Sequence, residues 1–443
     1  MGKTRENNVW VPDWKDTSYW LDGLAPLHTS EDLPTGAVDV VVVGSGYTGL
    51  NAAIETARGG RSTLVLEAEV PGWGCSSRNG GQISTSVKPT HEKLRAKFGD
   101  ARATAIRGEG KTALEWIEQR ITTENIDCSF RRAGRFHAAH TPRHYEELAR
   151  DAEKLGRSEG IEAHVVPRAQ QRSELGSDIY FGGVVFARHA AVNPALYHRG
   201  LLNTALAAGA QVIGHCPVLG IGQRADGFIV KTARGSVRAR DVIVATNGYT
   251  TGITPWLQRR VIPIGSYVIA TEPLPTSVVD SLFPTDRIAS DTCKVVYYYR
   301  ASPDRRRILF GGRVSSTETS PETSGPRLYD KMCSVFPELR DYRISHSWSG
   351  TVAYSFDELA HVGVHEGVHH AMGYCGSGVS MASYLGMRVG QKVLGLAEGR
   401  TAFDDLPFPT RPLYTGKPWF LPAAVAWYRW QDQFQHNRAK TAM

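Results

Sequence analysis

Three things are missing from this chain of 443 residues, and each absence removes a class of function. No apolar run approaches the roughly 20 residues that a membrane-spanning helix needs, and the opening stretch MGKTRENNVWVPDW holds no apolar core of a secretory signal. A cytoplasmic protein without a transmembrane span is the resulting expectation, with peripheral membrane contact left open. The six cysteines, Cys75, Cys128, Cys216, Cys293, Cys333 and Cys375, include no C-x-x-C pair. That spacing suggests neither a zinc site nor a dithiol redox centre, so no metal is expected and the thiols read as buried space fillers. Acidic residues are outnumbered, 44 against 51 Lys and Arg, for a net charge of +7. An excess of this size suits nucleic acid, an anionic surface or simple solubility. No RNA-binding module and no internal repeat accompany it, so no nucleic-acid partner is expected. At 41% hydrophobic content the chain suits a globular protein of two or three domains.

What is present is concentrated at Val38 to Gly49, VDVVVVGSGYTG, followed by Glu67 at the end of LVLE. The order is a buried strand, a glycine turn, a helix and a second strand closed by a carboxylate, as needed to hold an ADP moiety. Gly44 permits the tight turn, Gly46 lets backbone amides approach a pyrophosphate, and Gly49 lets helix and sheet pack closely. Ser45, Tyr47 and Thr48 complete the turn, and the phosphates would lie on the helix N-terminus. Glu67, with Ala68 beside it, stands roughly 20 residues further on, where an acid accepts hydrogen bonds from a ribose diol and disfavours a 2′-phosphate. Only one such fingerprint occurs, which disfavours an NAD-linked enzyme.

Along the chain, residues 1 to 37, with Trp10, Trp14 and Trp20, read as an arm packed on the body. Apolar spacing predicts a helix through Ile106, Leu114, Ile117 and Ile121 and another through Tyr145, Leu148 and Leu155, both expected on the surface of a second lobe. Asn193-Pro194 supplies an N-cap and first-turn proline for a further helix. Short strands around Val212, Val218, Ile229 and Val242 to Ala245 return to the nucleotide-binding sheet. Between about 251 and 354 the chain reads as strands, at Val261 to Thr271, Val295 to Arg300 and Arg307 to Gly311. Arg305-Arg306-Arg307 after Ser302-Pro303-Asp304 reads as a solvated hairpin tip. A last strand, Val368 to Met372, meets the turn GYCGSGV, and the helix it opens should stop by about Gly399. His369-His370 lacks partners at metal spacing. The expected fold is α/β and two-lobed: a Rossmann-like dinucleotide unit of the glutathione-reductase type (38–90, 185–250, 355–400) interleaved with an antiparallel-sheet substrate unit (91–184, 251–354), then a tail (401–443).

Four segments in this order, VVVVGSGYTGLNAA with LEA, GWGCSSRNGGQ, DVIVATNGY and GYCGSGVSMASYLG, span residues 38 to 386. Together they resemble the FAD-dependent oxidoreductases of the D-amino-acid oxidase, glycine oxidase and sarcosine oxidase superfamily. The GWGCSSRNGGQ loop, YYR followed by ILFGGR, and the tail FPTRPLYTGKPWFLP look most like the γ-glutamylputrescine oxidase subgroup. The resemblance implies bound FAD and a small-molecule amine substrate. An unprotonated amine would yield a hydride to the flavin, the imine would hydrolyse, and oxygen or another acceptor would restore the oxidised cofactor. By the same resemblance, Gly74, Cys75, Ser76, Ser77, Arg78, Asn79, Gly80, Gly81 and Gln82 lie against the flavin, and the Arg78 guanidinium and neighbouring amides suit its polar edge. Val218 stands where family members bind adenine through backbone groups, and Ala245, Thr246 and Asn247 close over the dinucleotide. Gly376, Ser377, Gly378, Val379 and Ser380 bring a helix N-terminus to the pyrimidine side. Many relatives carry histidine where Ser377 stands, so a histidine-specific role is in doubt.

On the substrate side, the likeness places Tyr297 where some sarcosine-oxidase-like members attach FAD through cysteine, and Tyr299 where they have an active-site tyrosine. Non-covalent FAD is therefore expected. Period-two alternation puts Tyr297 and Tyr299 on one strand face, which suits a pair lining the flavin cavity with Arg78 as the third catalytic candidate. The carboxylate-holding arginine of sarcosine-oxidase-like enzymes falls near Gly81, which argues against a simple α-amino acid. Arg300, Arg313, His361 and Tyr267 are alternative polar groups, read as mainly structural. Three further readings stand beside an oxidase: a dehydrogenase passing electrons to a quinone or partner protein, an RNA-modifying branch member, and a flavin-binding subunit of a larger complex. Trp419, Phe420, Leu421, Trp427, Tyr428 and Trp430 are expected to pack on the body, with an interfacial anchor as the alternative.

Overall fold

The computed structural model describes residues 9–27, 29–30, 32–315 and 318–441; most of the opening stretch read above for a signal lies outside them. Two large sheets organise the chain. In the first, Val38–Val43, whose run Val40 to Val43 is β-branched and buried on both faces, lies parallel to Thr63–Leu66 on one side and to Gly235–Val244 on the other. Gln211–Ile213 extends one edge in parallel, and Val368–Met372 pairs in parallel with Gly235–Val244. Continuous burial of Val40, Val41, Val42 and Val43 follows from helices and loops covering both faces, as parallel sheets require.

Among the described residues the second sheet has nine strands. Its centre is antiparallel: Val261–Thr271 runs against Ile344–Ser355 and Ile308–Gly312, and Tyr297–Ala301 lies next. Two parallel pairs modify the antiparallel expectation. Trp10–Lys15 from the arm pairs with Ile344–Ser355, and Arg135–Ala138 pairs with Ile288–Asp291. The arm is thus an edge strand plus a buried Trp20, whose indole N–H donates to the Asn79 carbonyl at 2.8 Å.

Several local expectations meet the structure. Asn193 Oδ1 accepts from the Ala195 and Leu196 amides and starts the helix Pro194–Ala207. The helix Gly378–Val393 is followed by a short turn ending at Gly399. Pro142–Glu159 is the expected surface helix. Asp100–Thr123 differs: Ala103, Ile106, Leu114 and Ile117 enter the same core as helices Tyr47–Arg58 and Gly378–Val393, not the core of the second sheet. The helix packs tightly there, since a Cβ at Gly110 would lie 2.1 Å from the Thr85 carbonyl oxygen. Apolar period reports a buried face without saying which partner covers it. The arginine run is a hairpin connection as read, though its tip is not simply solvated: Arg305 pairs with Asp280 and Asp286, and Arg307 Nη1 donates to the Thr271 carbonyl and the Ser345 hydroxyl.

Candidate functional site

The glycine turn is built as its residue types require. Gly44 has φ +101, Gly49 has room for nothing larger because a Cβ there would meet the Gly44 oxygen at 1.9 Å, and Gly46 caps the helix Tyr47–Arg58 with no side-chain acceptor. Beyond the Tyr47 amide, its first-turn amides are thereby left for an external acceptor. Glu67 reaches across from the end of Thr63–Leu66, and its Oε2 accepts both the Ser45 amide at 2.9 Å and the Ser45 hydroxyl at 2.7 Å. The Ser76 hydroxyl accepts the Tyr47 amide at 3.1 Å, so the second loop touches the turn at the helix N-terminus. Tyr47 and Thr48 themselves point inward: Tyr47 Oη donates to the Pro194 carbonyl, and Thr48 Oγ1 bonds Tyr374 Oη. Ala68 is exposed beside Glu67.

Residues 74–82 are clamped between the two sheets. Cys75–Ser77 form a single tight turn, the Asn79 amide group donates to the Cys75 and Ser76 carbonyls, and Asn79 Oδ1 accepts the Gly81 amide. Gly81, at φ +63, passes so near Val192 that a Cβ would lie 2.2 Å from its oxygen. Buried Ser77 accepts the Ser18 hydroxyl at its carbonyl. The Trp348 indole donates to the Arg78 carbonyl at 2.8 Å, and Gln82 Nε2 donates to the Ala289 and Tyr299 carbonyls. Arg78 itself lies over the Trp73 ring and donates to the Trp73 and Ser349 carbonyls. Its guanidinium is thus engaged by backbone of both loop and sheet.

The remaining segments converge on the same seam. The Ala245 amide bonds the Val43 carbonyl and its own carbonyl abuts Gly44; Asn247 Oδ1 accepts the Gly373 amide. Thr246 bonds Thr250 through its hydroxyl. Val218 opens the strand Val218–Arg224 two residues after Cys216, whose amide donates to the Glu67 carbonyl. Ser377, following Gly376 at φ +95, ties its hydroxyl to the Ser86 carbonyl and leaves the helix Gly378–Val393 without a side-chain cap, with Val379 and Ser380 buried in its first turn. Burial pushes the Cys75 and Cys375 thiols up to about 11, which keeps both neutral.

The structure corrects the tyrosine assignment. Tyr297 and Tyr299 do share a face, but it is the face covered by the helices Thr276–Leu282 and Pro321–Val335. Tyr299 stacks on Phe310 at 5.1 Å and donates to Tyr180 Oη, while the Lys331 ammonium lies over the Tyr297 ring. Tyr298 is the residue turned toward the cofactor loop: a Cβ at Gly80 would come within 2.8 Å of its ring, and its hydroxyl bonds Ser266 at 2.9 Å. Its cross-strand partner is Gly311, whose missing side chain leaves room for the ring. That glycine in ILFGGR was the available signal. Of the alternative polar groups, Arg300 bonds the Gly81 and Val192 carbonyls, Tyr267 and Arg313 engage Glu318, and His361 pairs with Asp357. Among the described residues no group of three or more His, Cys, Asp or Glu gathers as a metal site.

The tail also departs from expectation. Leu421 and Val425 are buried and Asp432 accepts the Lys294 and Val295 amides, yet Trp419, Trp427 and Trp430 are 69%, 54% and 54% exposed. No helix among the described residues is long and apolar enough to cross a membrane.

The donor set fits FAD: a carboxylate clasp for a ribose diol, first-turn helix amides for a pyrophosphate, and a second helix without a side-chain cap whose first turn bonds the Ser84 and Ser86 carbonyls. These features fit bound FAD, and together with the family match they make the protein an FAD-dependent oxidoreductase of the class acting on amine C–N bonds. Residues 39–392 match the family model of the FAD dependent oxidoreductases (DAO), and the chain belongs to that family. It is 30% identical over 416 residues to gamma-glutamylputrescine oxidoreductase of Escherichia coli, covering 92% of this chain and 96% of that one. It is 29% identical over 406 residues to the probable oxidoreductase OrdL of Haemophilus influenzae, covering 90% and 92%. Glycine oxidase of Geobacillus kaustophilus superposes with a TM-score of 0.71 at 18% identity, over 85% of this chain and 99% of that one.

Proposed function

We propose that the enzyme oxidises the C–N bond of a primary or secondary amine, a γ-glutamyl polyamine or related amino compound, to an imine that water hydrolyses. Bound FAD supplies the two-electron acceptor, with oxygen or another oxidant reoxidising it. The carrying observation is the seam itself: one loop, 74–82, is held simultaneously by the dinucleotide turn through Ser76 and by the second sheet through Trp348 and Tyr298. A reacting amine placed at that seam would be oriented by the sheet and shielded from water. In this reading segments 38–90, 185–250 and 355–400 hold the cofactor, and the second sheet, fed by 91–184 and 251–354, presents substrate. Ser45, Glu67, Ser76 and the first amides of Tyr47–Arg58 hold the dinucleotide, and the Gly376 to Ser380 turn stabilises negative charge on the reduced ring through its amides. The relation to the Escherichia coli enzyme over nearly the full chain supports the choice of amine. Six free cysteines accord with a cytoplasmic setting.

Anaerobic mixing of the FAD-loaded protein with polyamines, γ-glutamyl amines, N-methyl amino acids and cyclic imino acids tests the reading. Bleaching by γ-glutamyl amines ahead of the others is expected; bleaching by none of the panel would refute it. A second reading, a dehydrogenase passing electrons to a quinone or partner protein, is favoured by the exposed ladder Trp427, Trp430 and Phe434, whose rings stack at 5.0 and 5.5 Å. Stoichiometric peroxide under air separates the oxidase from this dehydrogenase.

A further inference from the structure

The face of the second sheet that meets the cofactor loop carries a row of residues in register: His137 opposite Ser290, Ser290 opposite Tyr298, Tyr298 opposite Gly311. Neighbouring strands lie about 4.8 Å apart, so His137 stands about 10 Å from Tyr298 along this row. Phe136 and Ala138 enter the helix-covered core, which turns Arg135 and His137 to the cofactor side. We propose that Arg135 and His137, both on the Ser290 hydroxyl, form with the neighbouring His189 a subsite for a carboxylate carried by the amine substrate, a proposal that rests on the amine-oxidising reading above.

The argument is one of unanswered donors. His137 Nδ1 and Arg135 Nη1 both reach the Ser290 hydroxyl, at 2.9 and 3.3 Å. His189 Nε2 accepts the Thr85 amide at 3.3 Å, which places the ring proton on Nδ1. That Nδ1 is buried without a partner among the described residues, and so is Arg135 Nε. Buried donors without acceptors are rare because each forfeits its hydration. Arg135 is lowered to about 10 by burial, His137 to about 4 by burial and by Arg135, and the other charges acting on the three groups are cationic, Lys88 among them. Other inward-turned arginines of this chain have carboxylates or carbonyls, as Arg107 has Glu159 and Arg300 has the Gly81 and Val192 oxygens, whereas Arg135 has the Ser290 hydroxyl. What Arg135 lacks is an anion. A planar guanidinium and an imidazole N–H match the two oxygens of a carboxylate, and the row through Ser290 to Tyr298 sets the carboxylate apart from the seam by the length of a short aliphatic chain.

The test titrates the FAD-loaded protein by calorimetry with glutarate, which has no amine to oxidise, and with glutaramide, its uncharged isostere. Glutarate is expected to bind at least about tenfold more tightly than glutaramide, consistent with a charge-assisted bond in a desolvated site, and to raise the amine concentration needed for half-bleaching. Arg135→Met should abolish that preference, Arg135→Lys should retain part of it, and Arg143→Gln, an exposed arginine paired with Glu147, should leave it intact. Equal binding of the two compounds, an unchanged preference in both Arg135 variants, or glutarate binding that leaves amine bleaching untouched would overturn the proposal. If no amine bleaches the flavin while glutarate still binds through Arg135, the subsite stands as an anion site and the amine reading fails.

Discussion

Replacing Glu67 separates a cofactor-binding carboxylate from one that merely braces a turn. In the structure its Oε2 accepts two bonds from Ser45, at 2.9 and 2.7 Å, and Oε1 accepts the Glu69 amide at 3.2 Å. Hydrogen bonds to a charged group contribute about 1.5–3 kcal/mol each. A carboxylate that also serves a ribose diol therefore carries about 3 kcal/mol or more of FAD affinity, and about 1.4 kcal/mol corresponds to each factor of ten. Glu67→Ala should weaken FAD binding by about 100-fold, and Glu67→Gln, which keeps one acceptor oxygen and the side-chain volume, by about tenfold. Quenching of flavin fluorescence on titration into apoprotein measures both, with the melting temperature of apoprotein as the control for folding. An unchanged FAD dissociation constant in Glu67→Ala, together with a lowered melting temperature, would refute the reasoning and leave Glu67 a structural clasp.

Three further expectations follow from particular contacts. Tyr298→Ala, which takes the ring from between Gly80 and Gly311, should perturb the visible flavin spectrum and slow amine-dependent reduction at least about tenfold, while Tyr299→Phe should cost only about 1 kcal/mol of stability through its lost bond to Tyr180; the reverse pattern would restore Tyr299 as the cavity residue. Glu124 is held down to about 2 by its paired hydrogen bonds from Arg58 and its bond from Arg120. Its folded value lies below the unfolded one of about 4.3, so the stabilisation is present above that pH and is lost as pH falls toward about 2; Glu124→Gln should remove up to about 2–3 kcal/mol at neutral pH and flatten the acid limb of a stability–pH profile. With Tyr297 turned to the helix-covered face, acid denaturation should release all flavin into the filtrate, and a protein mass still including FAD would contradict this.

The parts of this molecule that were legible are those set by short-range chemistry. VVVVGSGYTG and Glu67 predict a strand, turn, helix and acid because each requirement is met within a few residues, and the Asn193 cap is equally local. Long-range choices were not legible. Alternation pairs Tyr297 with Tyr299 but does not say which face meets the cofactor; Gly80 and Gly311, distant in sequence, decide that in favour of Tyr298. Likewise the apolar stripe of Asp100–Thr123 has two cores to choose from, and it joins the nucleotide side, with Gly110 packed against Thr85. Arg135 and His137 are not marked out in sequence, since only the pairing of Arg135–Ala138 with Ile288–Asp291 brings them to Ser290.

The central claim is that electrons leave the C–N bond of an amine for FAD held at the seam between the two sheets. An anaerobic single turnover with γ-glutamylputrescine measures it directly, by comparing flavin reduced with carbonyl product released. Equimolar amounts of the two are the predicted result; complete absence of carbonyl product, with the flavin left oxidised by this and every other amine, would contradict the account.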